Sequence, residues 1–272
     1  MADEAATRGA LMHRARRSLD VATMLVQREV TAELRVSRMS LVWPVVYPVA
    51  YTLLIVFMRP VFGGGSATAS AAQFAVFVFA GFSLWQSWFE VLRRQMDAVR
   101  ANKALVARAE IGSPTLFLTT LFSSGFHLVP RALLAMLLAA VLLQPPWWAY
   151  PVFLLGSMLV LLNGAVLGAL LQPFSTLSPD LGKAVQSVSL GFLITGAVFI
   201  PLPDAPSRAI SLILSINPLG ALLNVARAPL LGAVPMVPVA SAIWGILTFA
   251  LLALVLVVGR RILPILIERI GN

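Results

Sequence analysis

Cysteine is absent from this chain, and with it go disulfides, thiolate nucleophiles and thiolate metal sites. Charge is scarce as well: 11% of residues are charged, against about a quarter in a soluble domain. Histidine occurs only as His13 and His127, and neither an HExxH pattern nor a carboxylate cluster supplies metal or acid–base chemistry. The one Gly-Lys pair, Gly182–Lys183, has Leu177 where a phosphate loop needs its first glycine. It has Ala184 where that loop needs Ser or Thr. The chain is therefore expected to bind no nucleotide or metal itself and not to be an enzyme. Carboxylates in mid-membrane, the mark of ion-coupled carriers, are also missing. Glu90 sits near the inner end of an apolar run, and the other acidic residues fall in loops or tails.

What is present is apolar. The hydrophobic share is 59%, mean hydropathy is +0.91, and the apolar runs are continuous rather than alternating. In lipid every backbone polar group must be paired within the structure, so such runs predict helices and not a barrel. The expected fold is an all-α polytopic membrane protein with six transmembrane helices: 41–58, 74–92, 114–143, 149–171, 184–200 and 239–259. The third is long enough to tilt strongly or to bend at Pro130. The first apolar run begins only at Leu41, which does not fit a signal peptide.

Lysine and arginine set the orientation. Of 20 such residues, 16 lie in the N-terminal arm, the loop after the second span, the loop before the fifth, and the C-terminal tail. The net charge of +9 is thus a topology signal and not a nucleic-acid footprint. It predicts a multi-pass protein of the cytoplasmic membrane with both termini cytoplasmic. The division is a cytoplasmic arm (1–40), a six-span domain (41–259) and a cytoplasmic tail (260–272). Within the six-span domain lie a basic cytoplasmic loop (93–113) and an outer segment (201–238).

Several stretches have a pattern of their own. In the arm, Leu19, Ala22, Val26, Val30 and Leu34 recur at helical spacing, predicting a cationic amphipathic helix on the inner membrane surface. The outer segment contains apolar pieces too short to cross, predicting re-entrant or interfacial helices, with Asn217 as N-cap and Pro218 at the first helical position. Trp43, Tyr47 and Tyr51 share one face of the first span, and Phe82, Trp85 and Phe89 share one face of the second. Such faces suit the C–H surfaces of a sugar chain, or equally interface anchoring and helix packing. His127 and Arg131, one turn apart, are the strongly polar pair of the third span. Arg131 lies about 25 Å up that helix from Pro114, either to bind a phosphate or anionic lipid carrier or to snorkel to the outer headgroups. Gly164 and Gly168 form a GxxxG that sets close packing, within the subunit or across a dimer. Pro44 and Pro48 start or bend the first span.

With the spans placed, "LVQREVTAELRVSRMSLVWPVVYP", "FAGFSLWQSWF" with "NKALVARAEIGSP", "FSTLSPDLGKAVQ" and "INPLGALLNVARAPLLG" follow one another in order. Together they resemble the permease of a type-2 ABC exporter, of the kind that exports polysaccharide, O-antigen or teichoic acid. Two positions depart from that family's pattern: Pro179 stands where an Arg is usual, and Ser113–Pro114 where Phe-Pro is usual. The resemblance implies a homodimer of permeases with two ABC ATPase subunits docked beneath it, ATP and Mg being bound by those partners. It also implies a short coupling helix at 102–109, involving Asn102, Lys103, Ala104, Leu105, Val106 and Arg108. Asn102 is a suitable N-cap, and Leu105, Val106 and Ala109 give that helix an apolar face. Asp180 and Lys183 would make a second, smaller contact with the ATPase. The implied activity is ATP-driven export of a lipid-linked polysaccharide, through a channel lined by the aromatic faces, His127 and Arg131 and gated outside at Asn217–Pro218. Two other readings stay open: the same architecture exporting a small hydrophobic drug or lipid, and an ion-coupled secondary transporter.

Overall fold

The computed structural model describes residues 2–36, 42–58, 70–107, 111–178, 180–200, 207, 212–213, 216–235 and 237–271. The described residues are helical apart from short connections. The helices are α1 (Ala2–Val36), α2 (Trp43–Met58), α3 (Ala71–Ala101), α4 (Lys103–Ala107), α5 (Ser113–Leu142), α6 (Ala149–Leu177), α7 (Asp180–Thr195), α8 (Pro218–Arg227) and α9 (Pro238–Gly271). A single 3₁₀ turn, Ala228–Leu231, follows α8.

Four helices are long and apolar enough to cross a membrane: Ala71–Ala101, Ser113–Leu142, Ala149–Leu177 and Pro238–Leu263. That is the pattern of a multi-pass membrane protein. Its outward apolar side chains agree: Leu137, Leu155, Ile246 and Val257 are all exposed. Of the six expected spans, the first and fifth appear as helices of 16 residues each. At about 1.5 Å per residue each is about 24 Å long, short of an apolar layer of about 30 Å.

Helices run past their apolar stretches at one end of the bundle, the end that carries α4. The second candidate span, 74–92, continues as helix beyond its apolar run: α3 reaches Ala101, and the i, i+4 spacing of Glu90 and Arg94 fits that continuation. The 31 residues of α3 make about 46 Å of helix, longer than any hydrocarbon core. The start of α3 is fixed by a capping box. Ser70 Oγ accepts the Gln73 N–H at 3.1 Å, and Gln73 Oε1 accepts the Ser70 N–H at 3.0 Å. At the other terminus of the chain, α9 continues as helix through residues 260–271. α5 continues through Pro130 as one helix.

α3 is the most buried of the long helices and α9 the least. The core lies between α3 and α6, and two glycines explain how close these approach. A Cβ on Gly164 would lie 2.6 Å from the Trp88 carbonyl oxygen, and one on Gly168 would lie 2.4 Å from that of Leu92. The GxxxG therefore serves packing within the subunit. A buried relay ties three helices together: Trp88 Nε1–H donates to Asn163 Oδ1 at 3.0 Å, and Asn163 Nδ2 donates to Thr248 Oγ1 at 2.9 Å. Replacing Asn163 with leucine strands the Trp88 N–H. The expected cost is about 1 kcal/mol, the usual range for such bonds between membrane helices, measured as a small drop in the unfolding midpoint.

A second, smaller core of Val99, Val106, Ile111, Leu116 and Leu263 gathers the α4 end, with Val21 and Leu25 of α1 packed on it. Five elements (α1, α3, α4, α5 and α9) meet there.

Candidate functional site

The α1–α3–α5 junction holds the densest polar chemistry among the described residues. The arm helix does not merely lie flat. Its Ala22 is fully buried, and Val21 and Leu25 join the small core. Leu19 and Leu34, expected on the apolar stripe that faces the inner membrane surface, are exposed. The face turned to the core carries Glu29 and Glu33, one helical turn apart.

Arg94 of α3 lies between them. Its Nη1 is 3.0 Å from Glu29 Oε1, and its Nη2 is 3.3 Å from Glu33 Oε1 and 3.1 Å from Glu90 Oε1. Nη1–H also donates to Ser123 Oγ of α5 at 2.8 Å. His127 faces carboxylates with both ring nitrogens: Nδ1 is 2.6 Å from Glu90 Oε1, and Nε2 is 3.0 Å from Glu33 Oε2. Arg131 completes the set, with Nη2 3.1 Å from Glu90 Oε2. Its Nη1–H donates to Ser87 Oγ at 2.8 Å and its Nε–H to the Pro44 carbonyl at 3.0 Å.

Arg131 therefore does not reach the surface of the bundle, as snorkelling would require. It is 1% exposed and belongs to the junction with the arm. In the fold, the start of α5 runs antiparallel beside the long extension of α3, so Arg131 reaches only the level of Ser87 and Glu90. The Pro44 carbonyl is left without its helical N–H partner because residue 48 is also proline, and Arg131 supplies a donor to it.

Beside this cluster opens a cleft of about 910 Å³ between α1, α3, α5 and α7. Arg28, Gln86, Phe89, Arg93, Asp97 and Gln186 line it. Arg93 Nη1–H donates across it to Gln186 Oε1 at 2.8 Å. Gln86 Oε1 is buried without a protein hydrogen bond.

From the cleft a run of rings leads along α3. Phe89 stacks on Trp85 at 5.9 Å, Trp85 meets Phe82 at 5.4 Å, and Phe82 stacks on Tyr51 of α2 at 4.7 Å. Trp43 and Tyr47 pair at 5.7 Å on an exposed face of α2. All six expected aromatics thus fall on neighbouring faces, and Phe199 extends the run, 6.2 Å from Phe82.

The short helix expected at 102–109 is present as Lys103–Ala107, but it is built differently. Asn102 does not cap it with its side chain. Nδ2–H donates back to the Ala98 carbonyl at 3.0 Å, and the Asn102 backbone carbonyl accepts the Leu105 and Val106 N–H groups. The apolar face points inward: Val106 is buried in the small core with Leu105 against it. Lys103 and Ala104 face outward. Arg108 and Ala109 lie outside the described residues, as do Arg59, Arg208, Pro179, the loop 63–69 and most of 201–216. Asp180 and Lys183 pair with each other at 3.1 Å on an open surface.

On the opposite side of the bundle, Asn217 accepts the Leu219 N–H at 2.9 Å and Pro218 opens α8, as expected of that pair. Asn217 Nδ2 also donates to Thr195 Oγ1 at 2.9 Å, tying α8 to the end of α7. Arg227 is fully enclosed. Its Nη2–H donates to the Ala197 carbonyl at 2.6 Å, and its guanidinium carbon lies 3.6 Å from the centre of the Phe77 ring. Gly81 makes the room, since a Cβ there would be 2.5 Å from Arg227 Nη1. Gly81→Val is expected to displace that arginine and loosen α8, read as faster proteolysis within α8 while α3 and α6 stay protected.

No cluster of three or more potential metal ligands occurs among the described residues. The chain matches no protein-family model and no curated protein.

Sequence reasoning missed Glu29, Glu33 and Asn163. The first two carried a usable signal: a pair of carboxylates spaced i, i+4 in an otherwise basic arm. Asn163, by contrast, is one amide in an apolar run, and nothing local marks its partners.

Proposed function

We propose that this chain is the membrane-spanning permease of an ATP-driven ABC exporter that moves a lipid-linked polysaccharide or related glycopolymer out of the cell. The four long helices, with α2 and α7 as shorter companions, make six spans, both termini and α4 being cytoplasmic. The observation that carries this reading is the continuity of the polar cleft with the aromatic run Phe89–Trp85–Phe82–Tyr51. Amides and paired charges followed by ring faces suit a sugar chain, which needs hydrogen bonds without fixed charge and flat apolar surfaces for its C–H faces. The chain supplies no nucleotide loop, so energy enters through a partner ATPase. The exposed side of α4, with Lys103 and Ala104, is the contact. Because Val106 and Leu105 are seated in a core shared by α1, α3, α5 and α9, a push on α4 moves those elements together. Two permeases form the functional unit, and Asn217–Pro218 at the head of α8 belongs to the outer gate.

The ion cluster favours a second reading, a proton-coupled carrier, because Glu33, His127 and Glu90 form a partly buried hydrogen-bonded chain. Inverted membrane vesicles separate the two. The exporter predicts glycan uptake that requires ATP and survives collapse of the proton gradient. Uptake driven by the gradient without ATP would establish the carrier instead. Within the exporter reading, replacing both Trp85 and Phe89 with alanine is expected to cut surface glycan about tenfold or more at unchanged protein level. Each ring that stacks on the sugar is worth about 1 kcal/mol.

A further inference from the structure

A groove of about 420 Å³ lies between α5 and α9, with α6 and the early part of α1 contributing to its walls. Its lining has a polarity. At one end stand Pro114 of α5, Ser18 of α1 and Arg260 of α9. These are level with one another: a Cβ on Gly259 would lie 2.4 Å from Ser113 Oγ, and Val21, one turn past Ser18, packs on the small core beside Ile111 and Leu116. The other end is apolar. Leu121 of α5 and Leu252 of α9 lie about two turns further along their helices, and Leu162 of α6 joins them. Leu252, Leu256 and Arg260 recur at i, i+4 and i+8, so one face of α9 carries two leucines and then a cation.

The protein leaves this groove unfilled. Its leucines are half-buried, open to the groove in one contiguous apolar strip. Arg260 is exposed, and among the described residues it makes no ion pair. The charges around it are mostly of its own sign. Arg16 and Arg17 precede Ser18, Arg261 follows Arg260, and Asp20 is the acid on the same stretch of α1. The apolar run of α9 ends just before Arg260, which puts that arginine at the depth of lipid headgroups. A second copy of the chain is a poor cover for this face, because a symmetric contact would set arginines against arginines. A bilayer lipid with an anionic head matches both ends of the groove.

We propose that this groove binds an anionic phospholipid from the leaflet at the α4 end of the bundle, with one acyl chain along Leu121, Leu252 and Leu256 and the phosphate on Arg260. A guanidinium presents paired N–H donors to phosphate oxygens, and the Ser18 hydroxyl supplies a further donor. A zwitterionic lipid offers the same chain and phosphate, but its ammonium group would sit among arginines. The bound lipid completes the wall between α1 and α9 and so helps to hold the arm against the last helix. The groove is separate from the polar cleft, and the inference holds whatever the chain transports.

Native mass spectrometry tests this on the full-length protein in neutral detergent, mixed with equal amounts of phosphatidylglycerol and phosphatidylcholine. The readout is the ratio of the two lipids retained. Wild type is expected to favour phosphatidylglycerol about fivefold, the factor that one arginine supplies toward an anionic lipid. Arg260→Gln should bring the ratio close to parity. Arg261→Gln makes the same change of charge outside the groove lining and should leave the preference in place. Leu256→Trp fills the groove and should lose the retained phosphatidylglycerol although Arg260 is intact. Equal losses in the two arginine variants would overturn the proposal, as would a wild type without preference. So would a dimer that Leu256→Trp separates at unchanged lipid count, which assigns the groove to a second copy. Both arginines are exposed, so that pair of variants decides even if Leu256→Trp fails to fold.

Discussion

Gly168→Leu is expected to unseat α6 from α3 and leave little folded protein. The glycine is helical and without unusual backbone angles, so the issue is space alone. A Cβ there would meet the Leu92 carbonyl oxygen at 2.4 Å, Gln95 Cβ at 2.8 Å and Leu92 Cα at 3.0 Å. Two of these are backbone atoms of the most buried helix and cannot swing aside. Overfilling a packed core ordinarily costs about 1–3 kcal/mol, with neighbouring side chains giving way. Here a helix must move instead, so the cost should exceed about 3 kcal/mol, a large part of total stability. The same chemistry elsewhere should have the opposite sign. A Cβ at Gly191 in α7 would meet only Val188 Cγ1, at 4.0 Å, so Gly191→Ala should be neutral or stabilising by up to about 1 kcal/mol. Thermal unfolding monitored by tryptophan fluorescence, with size-exclusion recovery, checks both.

Glu90→Gln should produce the other large effect. Glu90 is the single carboxylate touching Arg94, His127 and Arg131 together. Breaking a hydrogen bond between neutral groups costs about 1 kcal/mol. Removing this charge leaves Arg131, whose side chain is 2% exposed, without an anionic partner, and breaking a buried pair from one side costs about 3–5 kcal/mol. The double variant Glu90→Gln/Arg131→Gln should be less destabilised than the sum of its parts, because the stranded charge is removed as well. Additive effects in that cycle would show that the two groups are not coupled.

These two sites also show what the sequence disclosed and what it withheld. The GxxxG could be read directly, since small residues one turn apart in an apolar run imply close approach, but which helix approaches needed the fold. His127 and Arg131 stood out as polar residues in an apolar run, while their depth could not be read. Depth depends on how far α3 runs beyond its apolar stretch, and the i, i+4 spacing of Glu90 and Arg94 allows the helix to continue without saying where it ends. The stretch 93–101 is a helix because Glu90 and Arg94 support each other one turn apart and because Val99, buried in the small core, anchors its last turn. The inward face of α4 depends on tertiary contacts in the same way. Leu105 and Val106 look from the sequence like a face for an external partner, but the chain itself, through Leu263 beyond the expected end of the last span, supplies a seat for them. Local signals held where the chemistry is local: Asn217 and Pro218 start α8 as their types require, and the aromatics fall on the faces their spacing dictates.

In the proposed exporter, α4 is the point where a partner ATPase delivers energy. A cysteine-free chain allows single-cysteine variants at Ala104, which faces outward, and at Val106, which is buried. In native membranes treated with a short bifunctional cross-linker, the Ala104→Cys protein should be captured by an ATPase subunit. The yield should change when ATP is added, and Val106→Cys should give no adduct. An Ala104→Cys protein that is labelled from the outer face of intact cells, or that forms no ATPase adduct while glycan export proceeds, would contradict this role for α4.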